Sequence, residues 1–159
     1  MGSVKNMVKG FIFTAIYVVF TIVIPLVTFS LIFELVVQGF PLDFQQQDYQ
    51  NITFWVVALG LPISGCAFFK YSSPKQSIRK GIFAFIQLLL NCLYLLSYKF
   101  SGAADITFVI SGFGGFTLNL QQMFLVYMGI YFLTIVIKVY DIIDFTINRE
   151  KIRENRMKA

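Results

Sequence analysis

The chain has 159 residues, of which 57% are hydrophobic and 13% are charged, and its mean hydropathy is +0.74. Soluble domains carry about 25% charged residues, so this composition excludes an ordinary soluble domain. The net charge is +5 and histidine is absent, which excludes haem ligation by histidine, most zinc sites and histidine-based acid–base catalysis.

Four apolar windows are long enough to cross a bilayer core, which takes roughly 20 residues in a helix. They cover residues 8–37, 52–69, 81–98 and 118–139. The sequence therefore predicts an all-α integral membrane protein, with a four-helix transmembrane bundle at 1–140 and a basic, partly amphipathic tail at 141–159. The first window is longer than a signal-peptide core of ~7–15 residues, so we expect it to be retained as the first helix.

The basic residues indicate how the bundle is oriented. Two of the thirteen basic residues lie at the start of the first helix, four lie between the second and third helices, and six lie at the C-terminal end of the chain. In a four-helix arrangement these twelve basic residues all fall on the same side. Only Lys99 falls on the other side of the four-helix arrangement. The positive-inside rule then predicts that both termini face the cytoplasm, with the plasma membrane as the expected location. We expect the tail to contact anionic lipid, and we expect no nucleic-acid partner.

Polar residues recur along one face of the third window. Gln87, Asn91, Tyr94 and Tyr98 follow one another at helical spacing, and the first two lie near the middle of the window. Polar side chains inside a membrane usually turn toward protein or water. The stripe is therefore expected either to join helices or to line a water-filled path or a ligand pocket.

The fourth window repeats this spacing with Tyr127, Tyr131 and Thr134. Lys138, Asp141 and Asp144 continue it to the cytoplasmic edge, where a lysine can reach the interface and pair with a carboxylate. The sequence predicts helix-packing or pore-lining roles for the first three residues and ion pairing for the last three.

A glycine-rich segment precedes the fourth helix on the predicted outer side. It consists of Ser111, Gly112, Phe113, Gly114 and Gly115. Three conformations fit this pattern: an outer β-hairpin that turns at the glycines, an interfacial segment anchored by phenylalanines, or a loop that re-enters the membrane under cover of protein or water.

No motif in the chain indicates an enzyme. The sequence contains no nucleotide-binding glycine loop, no paired catalytic carboxylates and no nucleophile–base pair, so we expect no catalytic residues, no metal and no cofactor. The leading hypothesis is a non-enzymatic subunit or accessory protein of a larger membrane complex, with other membrane chains or copies of itself as partners. The alternative is a homo-oligomeric channel or pore lined by the third helix, by the glycine-rich loop, or by both.

Overall fold

Four long helices dominate the described part of the chain. The computed structural model describes residues 2–39, 45–74, 77–101, 105–110, 114–119 and 121–148. The first helix comprises Gly2–Val18, a π-helical turn at Val19–Val23, and Ile24–Val37; the second is Gln46–Ser72, the third Ile78–Phe100 and the fourth Gln121–Ile147. All four are long and apolar enough to cross a membrane, which confirms the predicted number of candidate spans.

Local sequence signals explain where the helices begin and end. The first helix stops before Gly39, whose φ of 90° is a left-handed conformation that glycine adopts without a Cβ clash. The second begins with a reciprocal capping box between Gln45 and Asp48. It ends at Ser72, and the extended backbone of the next residue, Ser73, is expected of a residue that precedes a proline. The hydroxyl of Ser77 then caps the third helix by accepting a hydrogen bond from the Lys80 N–H at 3.2 Å.

Two short strands lie between the third and fourth helices. Strand β1 (Asp105–Ile110) pairs antiparallel with strand β2 (Gly114–Asn119), with Asp105 opposite Asn119 and Ile110 opposite Gly114. This pairing is that of a β-hairpin; its predicted turn at Ser111, Gly112 and Phe113 lies outside the described residues, and its outer location stays a prediction. The predicted fourth span began at 118, whereas the structure places 118–119 in β2 and starts the helix at Gln121. The strand and the helix that follows it are both apolar, so the hydropathy of the sequence does not show where one ends and the other begins.

Consecutive helices pack side by side in opposite directions. Phe11 meets Phe68, Phe69 meets Phe83, and Gly81 lies against Ile142, so these contacts share one end of the bundle. This end also carries Lys9, Lys70, Arg79, Lys80 and Lys138, and we call it the basic end. At the opposite end, Phe33 stacks on Tyr49 and Tyr98 lies near Phe124.

One cluster of buried apolar residues lies toward the opposite end, between the first three helices, and Ile63 and Ala67 are buried further along the second helix, toward the basic end. Ile52 and Val56 of the second helix are each 1% exposed, and the first helix covers them with Leu26, Phe29 and Ile32. The fourth helix takes no part in this cluster. Its main neighbour is the third helix, and none of its described residues is buried.

Candidate functional site

A polar cleft opens between the helices in the half of the bundle toward the basic end. Its volume is ≈ 420 Å³, and each of the four helices contributes at least one lining residue. The fourth helix packs on the third and leaves space on the side facing the first two helices. The cleft occupies that space.

Three lysines from three different stretches of the chain line this cleft. Lys70 comes from the last turn of the second helix, Lys80 from the first turn of the third, and Lys138 from the fourth. Arg79 is at the same end but lies over the rings of Phe69 and Phe83, at 5.3 and 5.9 Å from their centroids. The antiparallel packing therefore turns three scattered lysines into one cluster.

Gln87 is the most deeply buried polar residue of the cleft. Its side chain is 2% exposed, and its Oε1 accepts a hydrogen bond from Lys70 Nζ at 3.1 Å. Its Nε2 is also buried, and among the described residues it has no hydrogen-bond acceptor. A buried amide donor without an acceptor is costly, so Gln87 is the residue of this cleft that most needs a further partner.

One ion pair lines the cleft on the side of the fourth helix. Lys138 Nζ lies 2.7 Å from Asp141 Oδ2, one turn further along the same helix. The two side chains are 36% and 51% exposed, so the pair contributes little to stability. Asp144, the third member of the predicted pairing group, instead accepts a hydrogen bond from Asn148 Nδ2 at 2.7 Å.

The polar stripe of the third helix divides into two parts. Gln87 and Asn91 line the cleft, whereas Tyr94 and Tyr98 lie beyond it and bond to each other and to the first helix. Tyr98 donates its hydroxyl to the Tyr94 oxygen at 2.6 Å, and Tyr94 donates to the backbone carbonyl of Thr21, also at 2.6 Å. The second part of the stripe therefore joins helices within one chain.

The acceptor at Thr21 is available because of a proline. In an α-helix the N–H of residue 25 would donate to the carbonyl of residue 21, and Pro25 has no N–H. The π-helical turn at Val19–Val23 lies beside this proline, as such turns often do at irregular points of a helix. The Tyr94 hydroxyl donates to this carbonyl, at which Pro25 cannot make the α-helical hydrogen bond.

The first and second helices approach each other closely at the same level. A Cβ added to Gly60 would lie 2.5 Å from Ile22 Cγ1 and 3.2 Å from the Thr21 carbonyl oxygen. The Ser64 hydroxyl lies 3.5 Å from that of Thr21 and donates to the Gly60 carbonyl at 2.8 Å. Small residues of this kind allow two membrane helices to approach closely.

The stripe of the fourth helix does not form one cluster. Thr134 lines the cleft and donates its hydroxyl to the Ile130 carbonyl of its own helix at 2.7 Å. Tyr131 is half-buried, while Tyr127 is exposed. Among the residues that the structure describes, no group of three His, Cys, Asp or Glu side chains is placed to hold a metal ion.

Two participants in these contacts are not among the predicted site residues. The sequence marks Lys70 only as one of the basic residues that indicate orientation, and it assigns no role to Pro25. The separation of four residues between Thr21 and Pro25 was the available signal, because it identifies a helix carbonyl that lacks its usual donor. For Lys70, only the tertiary arrangement shows that it meets Gln87.

Comparison of the chain with protein-family models, with curated proteins and with solved structures gives no match.

Proposed function

We propose that this protein is a non-enzymatic subunit or accessory protein of a larger membrane complex and that it acts through helix–helix assembly. The main support is the one-sided packing of the fourth helix. The second helix buries six residues, whereas no described residue of the fourth is buried. The open face carries Leu125, Phe132 and Leu133, each more than 60% exposed.

Gly129 provides a place on this helix where another helix can come close. A Cβ added there would meet no atom within 4 Å in the single chain. Membrane helices associate through van der Waals packing, and their interfaces are enriched in small residues. A partner helix, from another protein or from a second copy, would cover this face.

We expect Gly129→Leu to release the partner without unfolding the chain, because Gly129 is exposed and an added Cβ meets no atom of the same chain. The measurement is the mass of the purified protein in mild detergent by light scattering, together with identification of any co-purifying chains. Gly65→Leu is the matched control, since Gly65 also has open space around it but lies on the second helix. A parent protein that runs as a single chain with no partner would contradict the proposal.

A homo-oligomeric pore is the alternative, and the polar lining of the cleft favours it. Asn91 and Thr134 bring polar groups to this lining from two adjacent helices. Particle images of the same detergent sample separate the two proposals. A symmetric ring with an axial opening supports the pore, and a co-purifying chain of different sequence supports the accessory role.

We further propose that the basic end faces the cytoplasm, as the positive-inside rule implies. In a background with Cys66→Ala and Cys92→Ala, a cysteine introduced at the exposed position Gln46 should react with an impermeant thiol reagent added outside intact cells. A cysteine at the exposed position Pro74, or at Asn155, should react only after the cells are opened. Labelling of Pro74→Cys from outside would refute this orientation. We also propose that the tail at 141–159 contacts anionic lipid, because it carries five basic residues against four acidic ones.

A further inference from the structure

We propose that the cleft between the four helices is a binding site for a phosphate-bearing anion, supplied either by a lipid headgroup or by free phosphate. The cleft residues that carry this proposal are Lys70, Lys80, Lys138, Gln87 and the Ser77 cap. This site is separate from the exposed face of the fourth helix, and it does not depend on assembly.

The charge of the cleft is unbalanced in favour of an anion. Three lysines line it against one carboxylate, Asp141, which already pairs with Lys138 at 2.7 Å. In the described part of the chain, neither Lys70 nor Lys80 has a carboxylate within ion-pairing distance. Two ammonium groups are thus left to attract a negatively charged group, and burial beside apolar helices makes that attraction stronger than in water.

The hydrogen-bonding groups of the cleft point to the same ligand chemistry. Gln87 Nε2 is buried and lacks an acceptor, and the lysine ammonium groups can only donate. The third helix also begins at the cleft, where its Ser77 cap and the positive end of its dipole favour an anion. A phosphate offers several acceptor oxygens at once, so it complements this set of donors.

Size and position fit a headgroup as well as a free ion. Ligand pockets commonly measure about 300–1,000 Å³, and this cleft has a volume of ≈ 420 Å³. It extends from the start of the third helix at the basic end to Asn91, just past the middle of that helix, so its opening beside Ser77 and Lys80 lies at the helix end. The end of a spanning helix is where the headgroup layer lies.

The most informative substitution is Gln87→Glu. The new side chain has nearly the same shape and still accepts from Lys70 Nζ, but it replaces the unpaired donor by a negatively charged acceptor. We therefore expect the chain to fold with unchanged or higher thermal stability and to lose anion binding by more than about tenfold. Lys80→Gln, at the half-buried rim, should weaken binding by about tenfold.

Lys9→Gln is the matched control for charge. Lys9 is exposed at the same end of the bundle and does not line the cleft. Its replacement removes the same charge as Lys80→Gln, so a general attraction of the basic end to anions would weaken equally in both variants. Binding by the cleft would leave Lys9→Gln close to the parent protein.

The experiment is native mass spectrometry of the full chain in detergent, titrated with phosphatidylglycerol or with phosphatidylcholine of the same acyl chains. Bound phosphatidylglycerol should be lost from Gln87→Glu and reduced in Lys80→Gln. If inorganic phosphate displaces the lipid from the parent protein, the site binds free phosphate. If it does not, the site recognises the lipid headgroup. Equal retention of phosphatidylglycerol by the parent, Gln87→Glu and Lys80→Gln, or equal losses in Lys80→Gln and Lys9→Gln, would overturn the proposal.

Discussion

Gly60→Ala should destabilise the protein by about 1–3 kcal/mol, the usual cost of forcing an extra carbon into a packed interior. The added Cβ would lie 2.5 Å from Ile22 Cγ1 and 3.2 Å from the Thr21 backbone oxygen. Ile22 can change its rotamer, but the backbone oxygen moves only if the two helices separate. Alanine favours a helix over glycine by roughly 0.5–1 kcal/mol, which is less than the expected cost.

Gly65→Ala is the matched control for this prediction, because Gly65 lies on the same helix and has no atom within 4 Å of an added Cβ. We expect it to be neutral or to stabilise the protein by up to about 1 kcal/mol through helix propensity. Unfolding of both variants is measured by denaturant titration in mixed micelles. If Gly60→Ala is as stable as Gly65→Ala, the first and second helices do not approach as closely as described.

Tyr94→Phe should cost about 1.5 kcal/mol, near the upper limit observed for hydrogen bonds between membrane helices. The Tyr94 hydroxyl donates to the Thr21 carbonyl, which Pro25 deprives of its usual helical donor. Removing the hydroxyl leaves that oxygen without its partner from the third helix. Tyr98→Phe removes only a donor to the Tyr94 oxygen, so it should cost less and serves as the control.

A double-mutant cycle tests the role assigned to the proline. Pro25→Ala restores an N–H that can donate to the Thr21 carbonyl, so in that background Tyr94→Phe should cost clearly less, about 0.6 kcal/mol or below. The same denaturant titration gives all four stabilities. Strictly additive effects of the two substitutions would show that proline and tyrosine act independently, contrary to the structure.

Hydropathy predicted the number of candidate spanning helices because a spanning helix must be about as long as the bilayer is thick. The helix ends were less predictable, since they depend on caps such as Gln45 with Asp48 and on Pro74 after Ser73. Periodicity placed Gln87, Asn91, Tyr94 and Tyr98 on one face, but it could not separate the first two, which line the cleft, from the last two, which join helices. That division depends on which neighbouring helix stands opposite each residue.

The cleft itself was beyond prediction from one sequence. Lys70 and Gln87 belong to different helices, and their contact depends on the register between them. The positive-inside rule accounts for a lysine at position 70 without any site, so the sequence offered no reason to pair it with an amide. The hairpin was one of three open conformations, because its glycines fit a turn and a re-entrant loop equally well.

The π-helical turn of the first helix has a consequence for how related chains should be aligned. Its Ile24 N–H bonds to the Val19 carbonyl, five residues back, so the turn holds one residue more than an α-helical turn. Deleting one residue there would rotate the preceding half of the helix by about 100° relative to the rest. Phe13 would leave its stack on Tyr71, whereas Phe33 would stay on Tyr49. The two halves of the first helix should therefore be aligned separately, with a one-residue insertion or deletion allowed between them at the π-helical turn.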